Sequence, residues 1–287
     1  MARWAVSVLG SASAVWTGAS LSNIPAAAWP VLGFLTCQRG AKASRGRIAS
    51  ALWPDRDDEA GRHCLATTLW RLKRTLPVAH QLVDSETDLI RLIGSPWIDR
   101  VAFEARVESV LKHNDPRASG NRRRLRAALA LYKGPFLDGV FSEWALLERE
   151  RLACLHLDAL FTLAQLEAAA GNWSQALGAS RLLCQLEPLR EDGHRLLMRA
   201  YDKTGNRALA VRQFRICANV LAQDLAVDPM PETRALAAEL SGQSVSRSSE
   251  SSAVLPQKSL AQVREHLVAA LGAIDTVLIK SPAETIL

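Results

Sequence analysis

At 287 residues, 48% of them hydrophobic, the chain is long enough for two packed domains with extensions. Its formal net charge is +6, and residues 1–54 hold five basic residues and no acidic one. This asymmetry favours an anionic partner such as nucleic acid, although a merely basic solvated surface is the alternative. A Walker loop and the H-E-x-x-H and G-x-S-x-G motifs are absent from the sequence, and the six histidines lack metal-ligand spacing, so we expect neither an enzyme nor a metal or cofactor site.

The five cysteines are scattered and include no C-x-x-C pair. They are typical of small buried hydrophobic residues in a reducing cytosol rather than of disulfides or a zinc site. We find no uninterrupted apolar run that approaches the length of a membrane span. We therefore expect a cytoplasmic protein with no membrane partner.

The N-terminal third begins with short β-type runs, Val6 to Leu9 and Ala14 to Thr17, which predict a small antiparallel sheet. A helix is predicted from Trp29 to Gln38, with Gly40 ending it. Ser44 is a predicted N-cap for a second helix that continues to Leu52 and stops before Pro54.

A third helix is predicted over 62–76, because Leu65, Leu69, Leu72 and Leu76 form one apolar stripe. The segment 81–93 then alternates in polarity and is interrupted at 85–87, which predicts a hairpin. A small sheet, three helices and a hairpin follow one another in the order of a winged helix.

In this interpretation the helix at 62–76 enters the major groove of DNA. Basic and polar side chains on its outer face and on the preceding elements become candidate DNA contacts, together with one arginine of the hairpin: Lys42, Arg45, Arg47, Arg62, His63, Thr67, Trp70, Arg71, Arg74 and Arg91. The alternative is an ordinary amphipathic surface helix whose outer face happens to be basic.

Gly171-Asn172 recurs as Gly205-Asn206 after 34 residues, and the surrounding apolar positions recur with it. Each unit is a helix, a Gly-Asn turn and a second helix, the layout and period of tetratricopeptide repeats. Such helix pairs stack on their neighbours and leave a groove for partners. The basic run at 122–126 is either a DNA or polymerase contact or a solvated helix face.

The C-terminal segment begins with a serine-rich stretch at 241–258, which predicts a flexible linker. An apolar stripe follows on a predicted helix at 259–287. An isolated helix of this size needs a partner for its apolar face. Folding back on the repeats, self-association and binding of another protein all remain open.

Several of these segments resemble a known family. Ile48-Ala-Ser-Ala-Leu-Trp-Pro54, with the basic helix that follows, resembles the OmpR-type winged helix of the antibiotic-regulatory (SARP) activators. The segments 131–139, 187–194 and 225–236 resemble the bacterial transcriptional activator domain. The resemblance covers roughly residues 1–240.

The resemblance implies a bacterial DNA-binding transcriptional activator that binds repeated promoter sites in double-stranded DNA, recruits RNA polymerase and acts at the nucleoid. It implies a mainly α fold with a winged helix at 1–99, a small sheet plus three helices, and an all-α tetratricopeptide-like domain at 100–240. The hairpin from Asp84 to Arg91 would be the wing. Unlike the relatives' wings, it carries the acids Glu86 and Asp88 where phosphate should lie. An interaction scaffold with a degenerate winged helix is therefore the alternative function.

Overall fold

The computed structural model describes residues 4–85, 87–112 and 119–242. The compact unit that holds the winged helix and the helical region ends at Ser241. The predicted C-terminal helix at 259–287 and all but the first two residues of the predicted linker lie outside the described residues, so both remain predictions.

The described residues form short strands near the N-terminus and helices throughout the rest of the chain. The strands are β1 Trp4–Ser7, β2 Ser13–Trp16, β3 Ala19–Ser20, β4 Lys42–Ser44, β5 Val83–Asp84, β6 Leu89–Leu92 and β7 Trp97–Ile98. The helices are α1 Ala28–Cys37, α2 Arg45–Leu52, α3 Asp58–Thr75, α4 Ala79–Leu82, α5 Asp99–Lys112, α6 Ser119–Leu129, α7 Glu143–Ala169, α8 Trp173–Leu186, α9 Glu191–Lys203, α10 Arg207–Asp224 and α11 Pro231–Ser241. A 3-10 turn at Arg39–Ala41 follows α1.

The N-terminal sheet has the strand order β3-β2-β1-β7. β1 pairs antiparallel with β2, and Trp4 and Val6 on its inner face are buried while their neighbours are partly exposed. The antiparallel sheet predicted at the N-terminus is thus confirmed. β7 lies parallel to β1 on its other side, with Ala5 opposite Trp97. That two-residue strand was not predicted, because so short a run carries no periodic signal.

The helices α1 to α3 follow the predicted order with shifted ends. Ser44 caps α2, its Oγ accepting the Arg47 N–H at 3.3 Å, as predicted. α1 ends at Cys37 rather than Gln38, and Gly40 lies in the turn beyond it with φ of +69°. α3 begins at Asp58, four residues earlier than predicted, because the Asp57 side chain caps the Ala60 N–H at 2.7 Å.

The hairpin forms the second sheet, whose strand order is β4-β6-β5. β4 pairs antiparallel with β6, with Lys42 opposite Arg91, and β6 pairs with β5. The predicted hairpin is confirmed, but its first two residues, Gln81 and Leu82, belong to the short helix α4. The winged-helix arrangement is therefore present.

The helical region contains two helix pairs, α7 with α8 and α9 with α10, that are joined by equivalent turns. Gly171 and Gly205 have φ of +76° and +80°. The next N–H in each turn reaches back five residues, from Asn172 to the Glu167 carbonyl and from Asn206 to the Tyr201 carbonyl, at 2.8 Å in both cases. The 34-residue recurrence in the sequence therefore marks one repeated local structure, a helix end closed by a left-handed glycine.

One hydrophobic core extends from the winged helix into the helical region. Leu9 forms a β-bridge with Phe136 in the loop between α6 and α7, and the Leu137 N–H donates to the Val8 carbonyl at 2.9 Å. Leu137 also packs so closely on α1 that a Cβ added to Gly33 would meet it at 2.3 Å. α5 follows β7 directly, so no linker separates the two regions.

α7 is the one helix in the described ranges that is long and apolar enough to cross a membrane. In its most apolar window, 44% of the residues are buried inside the protein, where α7 packs against α6, α8 and α9. Cys154 on this helix is exposed, and the expectation of buried cysteines holds in full only for Cys217, since the other three are half-buried. A free thiol on an outward helix position has no packing role.

Candidate nucleic-acid interface

The outer face of α3 is the strongest candidate for a contact with DNA. The leucine stripe of α3 is buried, from Leu65 at 0% to Leu76 at 5% exposure. At 100° per residue, the opposite face carries the exposed side chains of His63, Trp70 and Arg74 and the half-buried Thr67, with Arg71 at their edge.

Trp70 is the large apolar side chain of this face, and 56% of it is exposed. The Arg74 guanidinium stacks over its ring at 5.1 Å from the centroid, a cation–π contact across one helical turn. The pair forms a flat, positively charged platform. A guanidinium held in this way keeps its N–H groups free for a phosphate or a guanine edge.

Two of the candidate arginines, Arg45 and Arg62, tie the wing to the rest of the winged helix. Arg45 donates from Nε to the Thr87 carbonyl at 3.1 Å and from Nη2 to the Ser85 carbonyl. Arg62 pairs with Asp58 at 3.4 Å and with Asp88 at 3.8 Å.

Arg91 pairs with Asp84 across the hairpin, with Nη2 2.8 Å from Oδ2. Arg45 therefore holds the backbone of the wing, while Arg62 and Arg91 pair with its acids Asp88 and Asp84. To contact phosphate as well, each of these arginines would have to divide its N–H groups between the phosphate and its present partner.

Lys42 and Arg47 complete the candidate set. Lys42 on β4 stands directly opposite Arg91 on β6, so the two cations share one face of the second sheet. Arg47 lies in the first turn of α2 and is exposed. Across the described ranges, the side chains of Lys42, Arg47, His63 and Arg71 make no hydrogen bond or ion pair, so their charges and donors remain available.

Charge is distributed unevenly along α3. Asp57, Asp58 and Glu59 stand at its first turn, and Arg71, Lys73 and Arg74 near its last. Both ends complement the helix dipole, so this arrangement stabilises the helix whether or not DNA binds. A polyanion would nevertheless be repelled at the start of α3 and attracted about 20 Å further along, at a rise of 1.5 Å per residue.

Sequence reasoning left out some cations of this surface. Lys73, beside the buried stripe of α3 and next to Arg74, is exposed. Arg56, in the loop between α2 and α3, is also exposed.

The basic run at 122–126 divides into two kinds of residue. Glu167 on α7 has no exposed surface and pairs with Arg122 at 3.6 Å and with Arg126. The same carboxylate accepts the Asn172 side-chain N–H at 2.8 Å, so it ties α6 to the first Gly-Asn turn. Arg123 and Arg124 of this run are exposed without a partner in Glu167, and Arg126 stays half exposed despite its pairing.

Comparison with known proteins identifies a matching family model and two similar regulatory proteins. The model of the bacterial transcriptional activator domain family matches residues 98–241. Regulatory protein AfsR of Streptomyces coelicolor is 27% identical over 228 residues, and AfsR of Streptomyces griseus is 28% identical over 230 residues. Each match covers 78% of this chain, but the chain spans only 23% of the length of either relative.

A solved structure of EmbR from Mycobacterium tuberculosis, in complex with a low affinity phosphopeptide, has a similar fold. Its TM-score is 0.69 at 24% sequence identity, and the match covers 85% of this chain and 66% of the EmbR chain. The likeness shows that the winged helix and the helical region occur together in one fold, as predicted for the fold class. With half of its length matched by the family model, the chain belongs to the bacterial transcriptional activator domain family, among the SARP-type regulators of bacterial transcription.

Proposed function

We propose that this chain binds specific double-stranded DNA sites through α3 and thereby activates transcription, without catalysis of its own. One observation carries the proposal: α3 buries a leucine stripe in the winged-helix core and presents an opposite face rich in hydrogen-bond donors. A helix held in this way by a helix-turn-helix core is the element that such proteins place in the major groove.

Different residues of the candidate set would have different roles. Arg71, Arg74 and Thr67 are the groove-facing candidates, Trp70 would pack on sugar or base, and Lys42 and Arg47 would hold phosphates. Because the acidic first turn of α3 repels phosphate, we place the contact on the C-terminal half of the helix. Arg45, Arg62 and Arg91 would position the wing as well as face the backbone.

The test is a selection of genomic DNA fragments by the purified full-length protein at physiological salt. The comparison variant changes Arg71 and Arg74 to alanine together. The matched control changes Arg212 and Arg215 to alanine: these lie on α10 and likewise carry two positive charges. We expect the protein and the control to recover a spaced repeat motif that the double variant loses.

Salt dependence then measures the number of phosphate contacts. The logarithm of the affinity should fall with the logarithm of salt concentration at a slope of about −0.9 per neutralised phosphate. Arg74→Ala should weaken DNA binding without lowering the melting temperature, because its side chain is outward. A fall in melting temperature with unchanged DNA affinity would contradict the assignment of this face.

The second candidate function is an interaction scaffold whose winged helix has little DNA affinity. The observation that favours it is the acidic start of α3 together with Asp84 and Asp88 in the wing. Recovery of no motif by a folded protein, in the selection of genomic fragments, would favour the scaffold over the activator.

Contact with RNA polymerase is proposed for the helical region. Phe141, two residues before α7, and Leu147, near its start, are 77% and 66% exposed, which suits a protein contact better than solvent. In transcription with purified polymerase, Phe141→Ser with Leu147→Ser should reduce activation while DNA affinity is retained. The control is Leu225→Ser, an exposed leucine at the end of α10; equal losses in both variants would rule out a specific contact.

A further inference from the structure

A cavity of about 450 Å³ opens beside α7, away from the α3 face. Its lining is mainly apolar and comes from the end of α6, the following loop, α7 and α8: Leu129, Pro135, Leu157, Leu160, Leu182 and Leu186. Concave apolar cavities of this volume are the usual sites of small-molecule binding.

Three polar side chains line this mainly apolar cavity. Lys133 is exposed to solvent, and the other two are His156 of α7 and Tyr132 of the loop. Their rings stack at 4.1 Å between centroids, with 20° between the planes. His156 is only 8% exposed, and its Nδ1 is completely buried without a hydrogen-bond partner. Within the described residues, the Tyr132 hydroxyl has no partner either.

A second buried histidine shows that the lack of partners at His156 is not general to this fold. Nε2 of His194 lies 2.8 Å from the Pro188 carbonyl, and its Nδ1 lies 2.8 Å from the Gln213 amide. A buried polar atom without a partner costs about 1–3 kcal/mol, so nearly all such atoms are paired. The ring of His156, unlike that of His194, therefore has hydrogen-bonding capacity that the described residues do not use, as do Ser142, Trp144 and Ser180 elsewhere.

The charge state of the two groups limits the chemistry of that partner. Burial lowers the pKa of His156 to about 4, so its ring is neutral near pH 7 and offers one N–H and one lone pair. Burial also raises the pKa of Tyr132, which keeps its hydroxyl protonated. These two neutral groups lie in a mainly apolar wall and match an uncharged polar group, while the one cationic lining residue, Lys133, is exposed to solvent.

We propose that this cavity binds a small, rigid, uncharged molecule, aromatic or alicyclic, whose single hydroxyl or carbonyl group hydrogen-bonds to His156. The apolar body of the molecule lies against the leucines of α7 and α8. The proposal is independent of DNA binding, since none of the lining residues belongs to the winged helix.

The experiment uses the full-length protein and two matched probes, 2-naphthol and naphthalene, which differ only in one hydroxyl. Calorimetric titration should show 2-naphthol binding about five- to tenfold more tightly, the usual size of one net hydrogen bond. His156→Phe, which keeps an aromatic ring beside Tyr132, should abolish this preference while naphthalene affinity is unchanged.

Two further variants test the position of the site. Ala153→Phe fills the cavity from α7. Leu186→Trp narrows it from α8, at an exposed position where a larger side chain does not disturb the core. Both should weaken binding of either probe at least tenfold. Leu186→Trp keeps the test valid if Ala153→Phe fails to fold.

Nitrogen NMR of the imidazole rings provides the internal control. Addition of 2-naphthol should shift the ring signals of His156 and leave those of the fully paired His194 unchanged. The proposal is overturned if neither probe binds, if the hydroxyl preference survives in His156→Phe, if Leu186→Trp binds as tightly as the unaltered protein, or if His194 shifts instead.

Discussion

At the residue scale, His156 couples burial to protonation. Its ring is neutral in the folded protein because burial lowers its pKa from 6.5 to about 4. In the unfolded chain the same ring binds a proton near pH 6.5. Between these two values the unfolded state therefore holds more protons than the folded state, and the free energy of unfolding must fall as the pH is lowered.

We expect His156 to contribute a slope of up to about 1.4 kcal/mol per pH unit between pH 6.5 and pH 4. His156→Phe removes the titrating group and should lose that part of the slope, which denaturant titrations at several pH values can measure. His194, whose pKa burial also lowers, remains in both proteins and serves as the common background. Parallel stability curves for the two proteins would contradict a neutral buried His156.

Single residues also show which features can be predicted from sequence and which cannot. The buried leucines of α3 and the cap at Ser44 were predicted because periodicity and capping are local. The roles of Arg122 and Arg126 were not, since their partner Glu167 is about 40 residues away and carries no distinguishing pattern. The wing contacts of Arg45 escaped prediction for the same reason.

At the scale of elements, the two Gly-Asn turns are the local structure that recurs in both helix pairs. Gly171 and Gly205 adopt left-handed backbone conformations, and a Cβ at either position would meet no atom within 4 Å. A side chain there is disfavoured by backbone conformation alone. The 34-residue period was predictable because the same backbone requirement recurs in each helix pair, whereas the loop from 130 to 142 follows no repeat and was not predicted.

Alanine substitutions of three glycines should separate the turn requirement from helix propensity. Gly171→Ala and Gly205→Ala should each cost about 1–2 kcal/mol of unfolding free energy, since alanine resists the left-handed region. Gly178→Ala, in the middle of α8 and also without a neighbour within 4 Å, should instead stabilise by about 0.5–1 kcal/mol. Chemical denaturation measures all three; a uniform sign would refute this account of the turns.

At the scale of the whole molecule, a polar joint binds the winged helix to the helical region. Both carboxylate oxygens of Asp99 accept the Val8 N–H, at 2.9 and 3.0 Å, and one also accepts the Leu9 N–H at 3.1 Å. Arg149 of α7 donates to the carbonyls of Phe136 and Leu137 at 3.0 and 2.9 Å, in the loop that pairs with Val8 and Leu9. The domain boundary predicted at residue 99 stays a prediction, since one core runs through both regions.

Removal of the Arg149 guanidinium should increase local opening in the winged helix as well as in the helical region. In Arg149→Met we expect faster hydrogen exchange at the backbone amides of residues 8–10 and in α1, because the loop that pairs with them loses its support. The control is Arg195→Met, which removes a 2.9 Å hydrogen bond to Thr233 between α9 and α11. Faster exchange confined to residues 130–150 would show that Arg149 does not stabilise the winged helix.

The close pairing of Val8, Leu9 and Gly10 with residues 135–137 has a consequence for promoter architecture. If α3 reads DNA, the surface that we propose meets the polymerase is held at a fixed angle around the duplex, because no flexible linker separates the two regions. Moving the binding site by half a helical turn, about 5 base pairs, would carry that surface to the far side of the DNA, and a full turn of about 10 base pairs would bring it back. Activation measured against spacer length should therefore oscillate with the pitch of DNA.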